Sequence, residues 1–393
     1  MSPATLLWLV TGCLMLQPLS TDLYLASLPH MASDFGVPPS SVQHTLSLFV
    51  IGFGTAQLIS GPLSDKYGRR HVIVGGLTLY LLASIGCAIS PDLNWLVASR
   101  FAQAVGCCTG VVVARAVVRD VYNPSDGARV LAKASSLLSL APILGPIVGS
   151  YLQVSFGWRA AFVAHALVGL IVWIAAIKRM KESNAQPNPN AMAAGELGKS
   201  YAEVFLTPGF WAYALPGALS YASIFVYISG ASFVLIKGLG VSTELYGYLF
   251  SFGVLGYLSG TLICRRLLSS HGIQGVLRLG TLVGLVGGVG FLLLILADAR
   301  HWLVVVAALF IVMVAHGINI PCTQSGSLAP FPEKAGAAAA LFGFVMMVVA
   351  LVAGIVVSKN LDATLIPFAS ISAAVSVLLF SSARLLAKHA GTL

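Results

Sequence analysis

Long apolar runs separated by short polar stretches cover nearly the whole chain. Runs of about 20 apolar residues are long enough to cross a hydrocarbon core roughly 30 Å thick as helices. They fall at 4–28, 42–63, 71–90, 94–118, 130–152, 160–178, 209–234, 245–264, 276–297, 302–323, 335–357 and 363–383, twelve in all. A chain in lipid must close its own backbone hydrogen bonds, which leaves helices or closed barrels. These runs are too long and too uniformly apolar for the alternation of barrel strands. The pattern predicts an all-α membrane protein with twelve transmembrane helices.

One interruption differs from the rest. Residues 182–207 read ESNAQPNPNAMAAGELGKSYAEVFLT and are too polar to cross a bilayer. They are read as a cytoplasmic linker between an N-terminal six-helix bundle, 1–181, and a C-terminal six-helix bundle, 208–393. Transporters are commonly built from such repeated halves. A faint internal echo agrees with duplication: GPLSDKYGRR (Gly61–Arg70) ends the second run and GTLICRR (Gly260–Arg266) ends the eighth. Cys264 stands in the second copy where Asp65 stands in the first.

Composition sharpens this picture. Of 393 residues, 58% are hydrophobic and 9% charged, with mean hydropathy +0.91. Soluble domains are about a quarter charged. The net charge of +9 could point to nucleic acid, but its placement argues against that. With the N-terminus inside, seventeen of the 22 Lys and Arg, Lys388 among them, fall on the inner side. Arg159, Lys237, Arg300 and Lys359 fall outside, and Arg100 lies within a run. The positive-inside rule then puts both termini in the cytoplasm. The expectation is a multi-pass protein of a bacterial inner membrane, with no nucleic-acid partner. The first run has no basic leader and no convincing cleavage site before Asp22, so it reads as a span rather than a removed signal.

No chemistry of catalysis or metal binding is legible. The six cysteines sit in or at the ends of apolar runs, without CxxC pairs or zinc-ligand spacing, and read as small core residues. No Walker-type GxxxxGK[ST] occurs, so ATP does not drive the protein directly. Neither an enzyme nor a cofactor is expected, and both halves in one chain imply a monomer.

Four motifs, in order, carry a resemblance. GPLSDKYGRR at Gly61–Arg70 resembles the loop between helices two and three of the major facilitator superfamily. Arg100, Gln103 and Gly106 in RFAQAVG resemble its fourth-helix pattern, and APILGPIVG at Ala141–Gly149 its fifth-helix antiporter motif with Ala at the first glycine position. STDLYLASLP at Ser20–Pro29 looks like the first-helix hallmark of Bcr/CflA-like drug:proton antiporters, with Ala26 in place of the usual Pro, and GWRAAF at Gly157–Phe162 fits the same group. The resemblance implies proton-driven export of small, largely neutral or cationic organic molecules, such as amphenicol or bicyclomycin-like antibiotics, by alternating access. A metabolite carrier of the same fold, for a nucleoside, sugar or amino acid, stays open.

Each motif has a physical reading beside it. Ionisable residues inside spans are costly and usually functional. Asp22 lies roughly 10 Å from the outer end of helix one and Arg100 roughly 9 Å deep in helix four, at 1.5 Å per residue. Asp22 is expected to carry the coupling proton and Arg100 to tune it; a static buried ion pair and a rim position for Asp22 are the alternatives. Asp65, Arg69 and Arg70 are read as a cytoplasmic latch, Asp65 facing the N-terminus of the eleventh span near Gly336, or else as a topology anchor alone. Arg119 and Asp120 read as a gate network or a topology cluster. Gly145, Pro146 and Gly149 imply a kinked, closely packed fifth helix. Substrate contacts are expected from Tyr24 and Gln103 near the charged pair, and from Tyr221, Phe225, His316, Asn319 and Phe342 in the second half, where packing or lipid exposure competes as a reading.

Overall fold

The structure is a computed structural model that describes residues 2–360 and 365–387. Lys388 and the start of the twelfth run, residues 363–364, lie outside the described residues. Among those described, every element is helical. In chain order these are α1 (Pro3–Asp22), a 3₁₀ turn (Leu25–Ser27), α2 (Leu28–Asp34), α3 (Pro39–Val42), α4 (His44–Tyr67), α5 (Arg69–Ala88), α6 (Leu93–Val121), α7 (Pro124–Leu138), α8 (Leu140–Phe156) and α9 (Arg159–Arg179). There follow α10 (Ala194–Leu206), α11 (Pro208–Ser232) running into a π turn (Phe233–Gly238), α12 (Thr243–Leu296), α13 (Trp302–Leu328), α14 (Ala335–Lys359) and α15 (Leu365–Leu385).

α12 has 54 residues, and at 1.5 Å per residue a straight helix of that length would reach roughly 80 Å, more than twice a hydrocarbon core. It folds back instead at Gly272, whose φ of 62° a Cβ-bearing residue rarely adopts. Its packing on α13 shows the reversal. In the first part, Gly253, Gly256 and Gly260 meet Leu309, Phe310 and Val314, numbers rising together. In the second, Gly280, Gly284 and Gly287 meet Asn319, Ala315 and Ile311, numbers running oppositely. One element thus supplies two antiparallel crossings, which brings the described helices to twelve crossings.

The chain forms two compact units, one of Met1–Ser27 with His44–Lys199, the other of Leu28–Gln43 with Ser200–Leu393. Within each, small residues let helices touch at the backbone, because lipid offers no hydrophobic drive between spans. A Cβ on Gly106 would meet the Gly76 carbonyl and the Tyr80 backbone. Outward faces are apolar at helical spacing: Val163, Leu167, Ile171 and Ile174 make one exposed row on α9.

Three boundaries differ from the hydropathy reading. The first span is two helices with a break after Asp22. Pro18 lacks an N–H in the last turn of α1, Ser20, Thr21 and Asp22 compete for local backbone bonds, and Pro29 suits the first turn of α2. The fifth span starts with a separate helix, α7, and breaks at Ser139, where Pro142 would otherwise strip a donor from the ladder. The linker, read as a loop, contains α10: after the Asn and Pro cluster, AGELGKSYAEVFL is rich in helix formers and buries Val204. Tyr201 on it is half-buried, which pushes its phenol up to about 12.

Candidate functional site

In the first unit, the break in α1 and the centre of α6 collect the polar side chains. Asp22 closes α1 and is 6% exposed. Its Oδ1 accepts a hydrogen bond from Thr21 Oγ1 at 2.8 Å. The antiporter-like motif explains how the break is held. A Cβ at Gly145 would stand 3.3 Å from the Asp22 Cβ, and one at Gly149 would collide with the Leu23 carbonyl. α8 therefore lies against the interrupted backbone of α1, where only glycine fits. Pro146 sits buried between the two glycines.

Arg100 is fully buried but makes no ion pair with Asp22. Its guanidinium lies over the rings of Phe49 (4.3 Å), Tyr24 (4.5 Å) and Phe162 (5.8 Å). Nη1 donates to Gln103 Oε1 at 2.5 Å, and Gln103 Nε2 donates to Ser84 Oγ at 2.8 Å. Nε and Nη2 have no acceptor among the described residues. An aromatic cage of this kind stabilises a cation by its ring quadrupoles while leaving donors free. The static ion pair weighed from the sequence is not formed, because Asp22 is held by its own helix end and Arg100 by rings. Tyr24, expected near the charged pair, is one of those rings, and its hydroxyl pairs with Thr45 Oγ1 at 3.2 Å.

A second charged cluster sits at the junction of α4 and α5. Arg69, 4% exposed, reaches Asp65 at 2.5 Å and Asp120 at 2.8 Å, and donates to Ser64 Oγ at 2.6 Å. Gly68, at φ 91°, supplies the turn between the helices. Glu182 accepts the backbone N–H groups of Arg69 (2.8 Å) and Arg70 (3.0 Å), the first orphan donors of α5. Its partial burial acts to raise its pKa, but backbone donors from Asn184, Arg69, Arg70 and Ser183 outweigh that and hold it below the ordinary value. Asn184 and Asn188 both donate to the Asp65 carbonyl, at 3.0 Å each. The Arg70 side chain donates to the carbonyls of Met180 and Ile177, C-terminal acceptors of α9. Arg119 is exposed and makes no ion pair among the described residues.

In the second unit, α11 and α13 bring together most of the expected ligand contacts. His316 Nδ1 pairs with Ser220 Oγ at 3.1 Å, and Asn319 Nδ2 donates to the same oxygen at 3.3 Å. Tyr221 lies 6.0 Å from the His316 ring and 6.2 Å from Phe225, centroid to centroid. Phe342 packs against Gly217 and Phe225 against Gly354, so both rings rest on glycine-lined backbone.

A model of the major facilitator superfamily matches residues 10–387. The chain belongs to the major facilitator superfamily. It is 27% identical to a bicyclomycin resistance protein homolog of Haemophilus influenzae, over 88% of this chain and 87% of that one. It is 29% identical to a chloramphenicol resistance protein of Pseudomonas aeruginosa, over 84% and 77%. The fold is also that of a solved xylose transporter of Escherichia coli, at 15% identity, a TM-score of 0.72 and 96% of each chain.

Within this facilitator fold the structure adds residues that the sequence did not single out. His165 on α9 contacts the Leu19 carbonyl at 3.0 Å, one turn before Asp22, and stacks edge-on with Phe162 at 5.6 Å. Its place one turn after GWRAAF was the available signal. Tyr257, 5.7 Å from the His316 ring, and Ser220, the shared hydrogen-bond partner, complete the second cluster. Nothing in their spacing marks them, since serine and tyrosine are frequent throughout these helices.

Proposed function

We propose that this facilitator is a proton-coupled exporter of small, largely neutral or cationic organic molecules, working by alternating access in a bacterial inner membrane as a monomer with both termini in the cytoplasm. The observation that carries the reading is Asp22: a carboxyl buried at the broken end of a membrane helix, fixed there by two glycines of α8. A carboxylate kept in a span against its cost is a proton carrier by default. Relatives named for resistance to bicyclomycin and chloramphenicol support the export direction and the class of cargo.

In this reading Asp22 takes a proton from the outer side and yields it inward. Neutralising the carboxyl removes the charge at the helix break, which lets the break move through apolar surroundings. Arg100, held by its ring cage, keeps a fixed positive charge in the same unit. The cluster of Tyr221, Phe225, Tyr257 and His316 receives cargo by ring contact, with Ser220 and Asn319 offering hydrogen bonds. The same hydroxyl and amide suit a hydroxyl-bearing metabolite, which keeps a nucleoside or sugar as the second reading.

The test uses sealed vesicles with an imposed pH gradient and an internal pH dye. Amphenicols, bicyclomycin and a set of nucleosides are added to the native chain and to Asp22→Asn. Dissipation by an antibiotic class in the native chain alone establishes drug:proton antiport. Dissipation by nucleosides alone supports the second reading, and no proton movement with any compound refutes coupling.

A further inference from the structure

Where the first unit places Asp65 at the end of its second helix, the second unit places Cys264 at the matching position of α12. Opposite it on α13 stands Cys322, with the two sulfurs 3.8 Å apart and both thiols free. The approach is built into the backbones. Four or five residues earlier on each helix, a Cβ on Gly260 would meet the Gly317 Cα at 3.0 Å, so the helices already touch without side chains between them. Pro321 beside Cys322 lacks an N–H and loosens the α13 ladder at this point. Disulfides need Cβ atoms about 4 Å apart and correctly directed, and close backbone approach at the neighbouring glycines favours that spacing.

We infer that Cys264 and Cys322 form a dithiol modification site, closed by peroxide into a disulfide that staples the first part of α12 to α13. The pair is 2% and 1% exposed, so the oxidant the proposal requires is a small neutral one able to enter a packed layer. Ala212, Tyr213 and Leu277 pack in the same cluster as the cysteines. These three also line a small surface pocket with Gln274 and Arg278. One layer of packed side chains therefore separates that pocket from the sulfurs.

The chemistry balances with hydrogen peroxide alone. The sulfur of Cys322 attacks one peroxide oxygen, the O–O bond breaks, and the departing oxygen leaves as water, giving a sulfenic acid. The sulfur of Cys264 then displaces the hydroxyl from that sulfenic sulfur, the S–S bond forms, and a second water leaves. Two thiols supply two electrons, and one peroxide becomes two waters. In a reducing compartment such a bond is transient and thiol-reversible. The inference stands independently of which cargo the protein carries.

The experiment treats the purified full chain in lipid nanodiscs with hydrogen peroxide, blocks remaining thiols with iodoacetamide, and maps peptides without reduction. The expected result is a linked Cys264–Cys322 peptide pair that dithiothreitol releases, while Cys13, Cys87, Cys107 and Cys108 are recovered alkylated. Recovery of Cys264 and Cys322 as alkylated or over-oxidised single peptides overturns the proposal, as does a link between other cysteines formed first. Because the native chain gives the primary result, folding of a variant does not decide it. Cys264→Ala and Cys322→Ala then sharpen it: peroxide raises the unfolding temperature of the native chain and of neither variant. An equal rise in the variants contradicts the staple.

Discussion

Buried ionisable side chains divide unevenly between the two units. Asp22, Arg69, Arg100 and His165 lie in the first, whereas among the described residues of the second His316 alone of the Asp, Glu, His, Lys and Arg side chains is buried. The same contrast appears where two helices of each unit converge. The first unit joins them through Asp65, Arg69 and Asp120, and the second through two thiols. Since a charge in a membrane span is costly, a unit that keeps several has a use for them, and a unit that sheds them is free to offer rings and small polar groups instead. On the proposed function, proton handling belongs to the first unit and cargo contact to the second.

The largest effect expected is from Asp22→Asn, which keeps the size and the Thr21 hydrogen bond but removes the titrating proton. Gradient-driven transport falls to background while cargo binding in detergent survives. Retained proton-coupled transport would place coupling elsewhere and dissolve the contrast.

Next comes Gly149→Ala. The added methyl must displace the Leu23 carbonyl, so α1 and α8 separate at the break. Overpacking of this kind costs about 1–3 kcal/mol, read as a lower unfolding temperature with reduced transport. A neutral result would mean that the break tolerates movement of α8 and is not clamped.

A smaller change follows His316→Ala, which removes a ring contact to Tyr221 and Tyr257 but leaves the Ser220–Asn319 bond in place. Cargo affinity should weaken about tenfold, or about 1.4 kcal/mol, with coupling unchanged. A loss of coupling with unchanged affinity would instead put a second proton site in the second unit.

Glu182→Gln gives the smallest effect. The native carboxylate is held below its ordinary value of 4.5, so it stabilises the α4–α5 junction above that pH and loses its contribution as pH falls through the depressed value. The native chain should become less stable below about pH 4.5, and the glutamine variant should show less of that dependence in thermal unfolding at low pH.

Much of the fold was legible because a single physical demand, apolar length, dominates in lipid. The polar stretch RRLLSSHGIQG at Arg265–Gly275 separated two spans in the sequence, and α12 folds back within it, at Gly272. Breaks inside spans were less legible, since they depend on partners. The end of α1 at Asp22 needs the glycines of α8 to hold it, and neither segment announces the other. At the site, Asp22, Arg100 and Gln103 were found as types too costly to bury without cause. Their arrangement was not, because the sequence of α6 names Arg100 but not the three rings, from α4, α9 and the α1 break, that occupy it. The Glu182 contacts were hidden for the same reason: a residue at the start of a polar linker reaches back more than a hundred positions to cap a helix.

The most direct measurement of this division is proton release on cargo binding. The native chain in lightly buffered detergent solution is titrated with the antibiotic identified by the vesicle assay, and released protons are read with a pH dye. The account expects release from the native chain and from His316→Ala at saturating cargo, and none from Asp22→Asn that still binds. Equal release from Asp22→Asn, or its loss in His316→Ala at full occupancy, contradicts the assignment of proton handling to the first unit.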